Sequence, residues 1–166
     1  MKLNYCITVL LICGIMSCKD KVKNSPVASG KIEIDRVKLT DMNSKPIDMG
    51  QSHGKTLFIN FWATWCKPCL EEMPSIKKAK DILKNENIVF LLASDETAEQ
   101  ILQFEKEHNY GFNYVRVQNP EELNVMALPT TFIFNPDGKL VFNEMGYRQW
   151  DDKNNIDLIL NIEKSK

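Results

Sequence analysis

Thr56-Leu57-Phe58-Ile59-Asn60-Phe61-Trp62-Ala63-Thr64-Trp65-Cys66-Lys67-Pro68-Cys69 decides how this chain folds. An apolar run leads into two cysteines separated by Lys67 and Pro68, and a helical pattern follows. The order is strand, turn, helix, with Cys66 at the helix start. A helix N-terminus carries unsatisfied N–H groups and about half a positive charge. That environment lowers the pKa of Cys66 and makes it partly thiolate near neutral pH. Cys69, one turn further in, is shielded but within reach of Cys66. This is the minimum equipment for thiol–disulfide exchange.

The pattern before this motif reads as targeting sequence. Met1-Lys2-Leu3-Asn4 supplies one positive charge, and Tyr5 to Met16 is a nearly uncharged stretch of 12 residues. That is shorter than the roughly 20 residues a membrane-spanning helix needs, and it suits a secretory signal. Ile15-Met16-Ser17-Cys18 resembles the bacterial lipoprotein signal pattern, in which the cysteine becomes the acylated first residue. Residues 1–17 are then a signal peptide, and residues 18–30 are the lipidated Cys18 plus a polar tether rich in Lys, Asn, Ser, Pro and Gly. Of the five cysteines, Cys6 and Cys13 leave with the signal and Cys18 carries lipid, so Cys66 and Cys69 remain as thiols. An exported compartment permits a pair this close to cycle between dithiol and disulfide.

Residues 31–166 are the length of one ordinary domain with one core. Without residues 1–17 the chain has 20 basic and 22 acidic residues, a net charge of −2. No basic run or aromatic-basic patch suggests nucleic acid. His53 and His108 lie far apart, with no second C-x-x-C or H-x₃₋₅-H, so a metal site is not expected. Both read as ordinary loop and helix-end residues.

Ile32, Ile34, Val37 and Leu39 predict an extended start, and Asn43 to Gly50 a turn. Thr56 to Phe61 is apolar on both faces, as in the middle of a covered sheet. Pro68 to Lys84 places Leu70, Met73, Ile76, Ala79, Ile82 and Leu83 at helical spacing, with a kink expected at Pro74. Asn87 to Ala93 is a second buried strand. Ser94 or Asp95 is expected to cap a helix from Thr97 to His108. Tyr114 to Val117 suggests a short strand, and Pro120 to Val125 a short helix. Thr131 to Phe134 and Lys139 to Met145 form a hairpin around the turn signal Asn135-Pro136-Asp137-Gly138. Asp151 to Glu163 is a final amphipathic helix. These elements imply an α/β fold with a mixed sheet and helices on both faces.

Asn60 to Cys69, Glu72-Met73-Pro74, Leu128-Pro129-Thr130-Thr131-Phe132 and Asp137-Gly138-Lys139 together resemble the thioredoxin fold. Within it they resemble the exported, membrane-anchored TlpA/ResA-like thiol–disulfide oxidoreductases. The resemblance covers roughly residues 50 to 165. It implies a thioredoxin fold with an N-terminal β extension. It also implies a monomer that needs no cofactor and works as a lipid-anchored protein of the bacterial cell envelope, its domain on the periplasmic side. The implied activity is reduction of disulfides in exported proteins, including apocytochrome c thiols in cytochrome c maturation, with electrons from a membrane thiol relay.

The resemblance assigns roles residue by residue. Cys66 attacks and Cys69 resolves. Pro68 supports the helix start, and Lys67, a glycine in cytosolic thioredoxins, tunes the potential. Leu128-Pro129, with a cis bond, presents backbone to an extended substrate. Asn60 stands where cytosolic thioredoxins carry a buried acid, and Glu72 is expected to supply that acid from one helical turn beyond Cys69. Trp65 is expected to shield the disulfide and Trp62 to pack in the core. A disulfide-forming oxidase and a tethered polypeptide-binding chaperone remain as alternatives. The motif disfavours a peroxidase, a copper chaperone with C-x₃-C, and an oxidase with histidine between its cysteines.

Overall fold

Every residue of Thr56–Phe61 is buried, which fixes this strand at the centre of a sheet. In the computed structural model, which describes residues 32–165, six strands make that sheet. They are β1 (Leu39–Thr40), β2 (Thr56–Phe61), β3 (Ile88–Ser94), β4 (Asn113–Val117), β5 (Thr130–Phe134) and β6 (Leu140–Met145). Their order is β1-β4-β3-β2-β5-β6. The β2–β3 and β3–β4 pairs are parallel, and the remaining pairs are antiparallel. The signal segment, Cys18 and the tether lie outside the described residues.

Helix α1 (Lys67–Ile82) joins β2 to β3, and α2 (Ala98–His108) joins β3 to β4. Both crossovers step in the same direction across the sheet. Right-handed connections then place both helices on one face. Cys69, Met73, Ile76 and Ala79 of α1 share a buried cluster with Ile101 and Phe104 of α2. Ile159 and Ile162 of α3 (Lys153–Glu163) join that cluster. On the other face Leu57, Ile59, Phe61, Phe132 and Phe134 pack under Ile34 and Met49, which sit in the short 3-10 helices Ile34–Arg36 and Met49–Ser52. Helical segments thus flank both faces, but all three α-helices lie on one.

The departures from the sequence reading are local. The extended start contains the 3-10 helix Ile34–Arg36 before the two-residue β1. This segment bridges Lys139 beside β6 through Glu33, then reaches Val117 of β4 through Leu39, at opposite ends of the sheet order. A chain crossing the strands with Ile34 and Val37 turned inward must turn. Thr97, not Ser94 or Asp95, caps α2, in a reciprocal capping box with Gln100; Ser94 is still in β3. Pro120–Val125 forms hydrogen-bonded turns instead of a helix. Asn124, with φ of 56°, stops the turn from propagating. Helix α1 runs on through Pro74, the expected kink. At the hairpin, Gly138 has φ of 77°, and a Cβ there would lie 2.7 Å from Ile34 Cγ2, so the position needs glycine.

Candidate functional site

The site is assembled where β2 ends. Trp62 N–H donates to the Ala93 carbonyl, and the chain turns through Ala63, Thr64 and Trp65 into α1. Cys66 is the N-cap with extended backbone, and its Sγ accepts from Cys69 N–H at 3.3 Å. Pro68 sits in the first turn, where its missing N–H costs nothing. Cys66 and Cys69 are joined as a disulfide with Cα atoms 5.3 Å apart. Their exposures are 4% and 1%, so the pair belongs to the α-helical core cluster. Trp65, expected to cover it, projects into solvent with 72% of its surface exposed. Trp62 is buried and packs on Phe104 and Tyr114. Lys67 reaches Glu71 at 3.8 Å, one turn along the exposed side of α1.

Glu71 and Glu72 part company here. Glu72 has no exposed surface. Its Oε1 accepts from Asn60 Nδ2 at 2.5 Å, and its Oε2 accepts from the Arg148 backbone N–H at 2.9 Å. Register explains Asn60: it alternates with Leu57, Ile59 and Phe61, so it shares the face of Phe58, toward α1. Thr131 of β5 lies directly opposite it, and Asn60 Nδ2 also donates to Thr131 Oγ1 at 3.0 Å. Burial raises the Glu72 carboxyl from 4.5 to about 7, against the hydrogen bonds from Arg148 and Asn60 that lower it. Asn60 Oδ1 is buried with no hydrogen-bond partner, an unused acceptor in the side chain that already touches this carboxyl.

The Leu128–Pro129 peptide is cis, immediately before β5. The Pro129 carbonyl accepts from Gly146 N–H at 2.7 Å, and Thr130 Oγ1 donates to the Ala127 carbonyl. Leu128 packs against the cluster that holds both cysteines. It also lines a groove of about 200 Å³ with Trp65, Phe61, Met126, Asp95 and Glu121. The proline loop thus meets the turn that leads into the redox pair through Leu128 and Trp65.

A family model described as the AhpC/TSA family matches residues 33–143. The chain is 31% identical over 143 residues to the thiol-disulfide oxidoreductase ResA of Bacillus thuringiensis subsp. konkukian (strain 97-27), covering 81% of this chain and 82% of that one. The chain belongs to the AhpC/TSA family, among its ResA-like thiol–disulfide oxidoreductases. A ResA from Bacillus cereus (strain ZK / E33L) is also 31% identical, over 84% of this chain and 85% of its own length. The thioredoxin domain of a thiol-disulfide oxidoreductase from Bacteroides vulgatus superposes with a TM-score of 0.65 at 17% identity, covering 79% of this chain and 95% of that domain. That likeness establishes the thioredoxin fold.

Two features of this ResA-like site carry no sequence signal. Glu96 clasps the turn before the cysteines. Its carboxylate accepts from Thr64 N–H at 2.7 Å, Thr64 Oγ1 at 2.6 Å and Ser94 Oγ at 3.1 Å. In sequence it is one more acidic residue at a helix start. Arg148 supplies a backbone donor to Glu72 from 76 residues away, which no local pattern encodes. His53 and His108 stay apart from the site. His53 lies 4.0 Å from Asp35, and His108 stacks on Phe104 with its Nδ1 3.0 Å from the Phe104 carbonyl.

Proposed function

We propose that this oxidoreductase works as a reductant of disulfides in exported proteins, with apocytochrome c thiols as one substrate class. One observation carries the direction: the fully buried Glu72 carboxyl, one helical turn beyond Cys69. A carboxylate in that position disfavours cysteine thiolates. Thiolate stabilisation is what makes a dithiol a strong oxidant, so its opposite favours the disulfide form of the protein and a low potential. Lys67 is paired with Glu71 on the solvent side of α1.

In this reading the reduced protein starts the reaction. The Cys66 thiolate attacks a substrate disulfide, forms a mixed disulfide and releases one substrate thiolate. The Cys69 thiol passes its proton to the Glu72 carboxylate. Cys69 then attacks the Cys66 sulfur, which breaks the mixed disulfide and releases the second substrate thiolate. The substrate gains two electrons and the protein is left as the Cys66–Cys69 disulfide. A membrane thiol relay returns the electrons. The Leu128-Pro129 backbone aligns the substrate segment beside the disulfide. A lipid on Cys18 would hold the domain at the bacterial envelope, on the periplasmic side; the support is the N-terminal sequence pattern. Among the described residues, no helix is long and apolar enough to cross a membrane.

The test is the reduction potential of the Cys66–Cys69 couple, equilibrated in glutathione or dithiothreitol buffers. The reductant reading expects a value near or below about −230 mV. A value near about −120 mV would make the protein a disulfide-forming oxidant and end that reading. Equal insulin reduction by the native protein and Cys66→Ala would favour a polypeptide-binding chaperone instead.

A further inference from the structure

Residues Gly146 to Trp150, between β6 and α3, touch both halves of the site. Gly146 N–H donates to the Pro129 carbonyl at 2.7 Å. Arg148 N–H donates to Glu72 Oε2 at 2.9 Å. Trp150 N–H donates to Ser75 Oγ at 3.1 Å, and that hydroxyl donates to the Glu72 carbonyl at 2.7 Å. Five consecutive residues thus tie the cis-proline loop to the buried acid and to the helix that carries it.

This connection is irregular backbone, so something must hold it. Its anchor is the Arg148 side chain. The guanidinium donates to Glu144 and to Asn155, one from β6 and one from α3. It also lies over the Phe142 and Trp150 rings, 5.3 and 5.6 Å from their centroids. Asn155 in turn donates to the Gln149 carbonyl at 2.7 Å. A guanidinium fixed by two acceptors and two rings loses little freedom on bonding, unlike a lysine in the same place.

We propose that Arg148 is a positioning residue, whose anchored guanidinium pins the Gly146–Trp150 connection so that its own N–H stays on the Glu72 carboxylate. A donor held on a carboxylate favours its charged form. Arg148 thereby sets the pH at which Glu72 can take up a proton, and through Gly146 it fixes the Pro129 carbonyl. The groups around Glu72 are few. Strand β2 presents the uncharged Asn60, itself held by Thr131 of β5, α1 presents Cys69 one turn back, and the connection presents the Trp150 indole and Arg148, paired with Glu144. The proposal deepens the reading of Glu72 as the acid of exchange and rests on it for its functional consequence.

The experiment follows the Glu72 carboxyl directly, by carbon-13 NMR titration of the folded, oxidised protein. The signal is assigned by its loss in Glu72→Gln. Arg148→Ala should raise the Glu72 midpoint by about one pH unit, the size expected from weakening one charge-assisted hydrogen bond. Asn155→Ala, which removes an acceptor of the guanidinium without changing any charge, should raise it by roughly a few tenths of a unit. Arg148→Lys should fall between the native protein and Arg148→Ala. An unmoved midpoint in folded Arg148→Ala overturns the proposal. If that variant does not fold, an unmoved midpoint in Asn155→Ala does so. The exchange rate against pH separates the two ideas. A moved midpoint with a Glu72→Gln profile identical to the native one keeps Arg148 as the positioner and removes Glu72 from the reaction.

Discussion

The two sides of the first turns of α1 differ in almost everything except sequence proximity. On the solvent side Lys67 and Glu71 pair loosely at 3.8 Å, both well exposed, beside the exposed Trp65. On the sheet side Cys69, Glu72 and Met73 are buried, and Glu72 is held by Asn60 and Arg148. Glu71 and Glu72 are neighbours in the chain, about 100° apart around the helix. One is a solvated surface charge. The other is a carboxyl whose ionisation falls near neutral pH. The lesson is that position around the helix, not residue type, decides which carboxyl does chemistry.

The strongest way to sharpen this contrast is to remove the cysteines themselves. Cys66→Ala should lower insulin-disulfide reduction by at least about a thousandfold, because the attacking sulfur is gone. Cys69→Ala should block turnover equally, yet accumulate a mixed disulfide visible by non-reducing electrophoresis. If Cys69→Ala turned over normally, the division between attacking and resolving cysteine would be wrong.

Glu72→Gln comes next. Folded Glu72 holds its proton up to about pH 7, whereas an ordinary glutamate loses it near 4.5. The folded state therefore binds more protons than the unfolded state between those values, and stability falls as pH rises through that window. The native protein should lose up to roughly 3 kcal/mol from this group between about pH 4.5 and 7. Glu72→Gln should lack that loss, as urea unfolding at several pH values would show. Matching slopes would place Glu72 in the same class as Glu71 and break the comparison.

Glu96→Gln tests the clamp on the turn. A glutamine keeps one acceptor and sets an amide N–H₂ against donors, so about 1–2 kcal/mol of stability should be lost. Slower exchange without a change in the Glu72 midpoint would mark this clamp as separate from the buried acid. The smallest effect belongs to the solvent side. Glu71→Gln should change stability by no more than about 0.5 kcal/mol, as expected for an exposed pair four residues apart. A larger change in urea midpoint would mean that the Lys67–Glu71 pair reaches the disulfide.

The sequence by itself determined the strand–turn–helix core and its redox pair. Apolar runs such as Thr56–Phe61 and Thr130–Phe134 are buried along their whole length, and the 3.6-residue pattern of α1 needs only local spacing to be read. Turn chemistry at Asn135 to Gly138 was legible for the same reason. Ile34–Arg36 and Pro120–Val125 were misjudged because their conformation answers to distant partners. The tertiary structure alone decided that Glu72 is buried, that Asn60 meets it while Thr131 lies opposite Asn60 in register, and that Glu96 and Arg148 brace the site. Periodicity reports which face of an element is apolar. It carries no information about which carboxyl, amide or backbone N–H another element will bring opposite, and that pairing sets the chemistry.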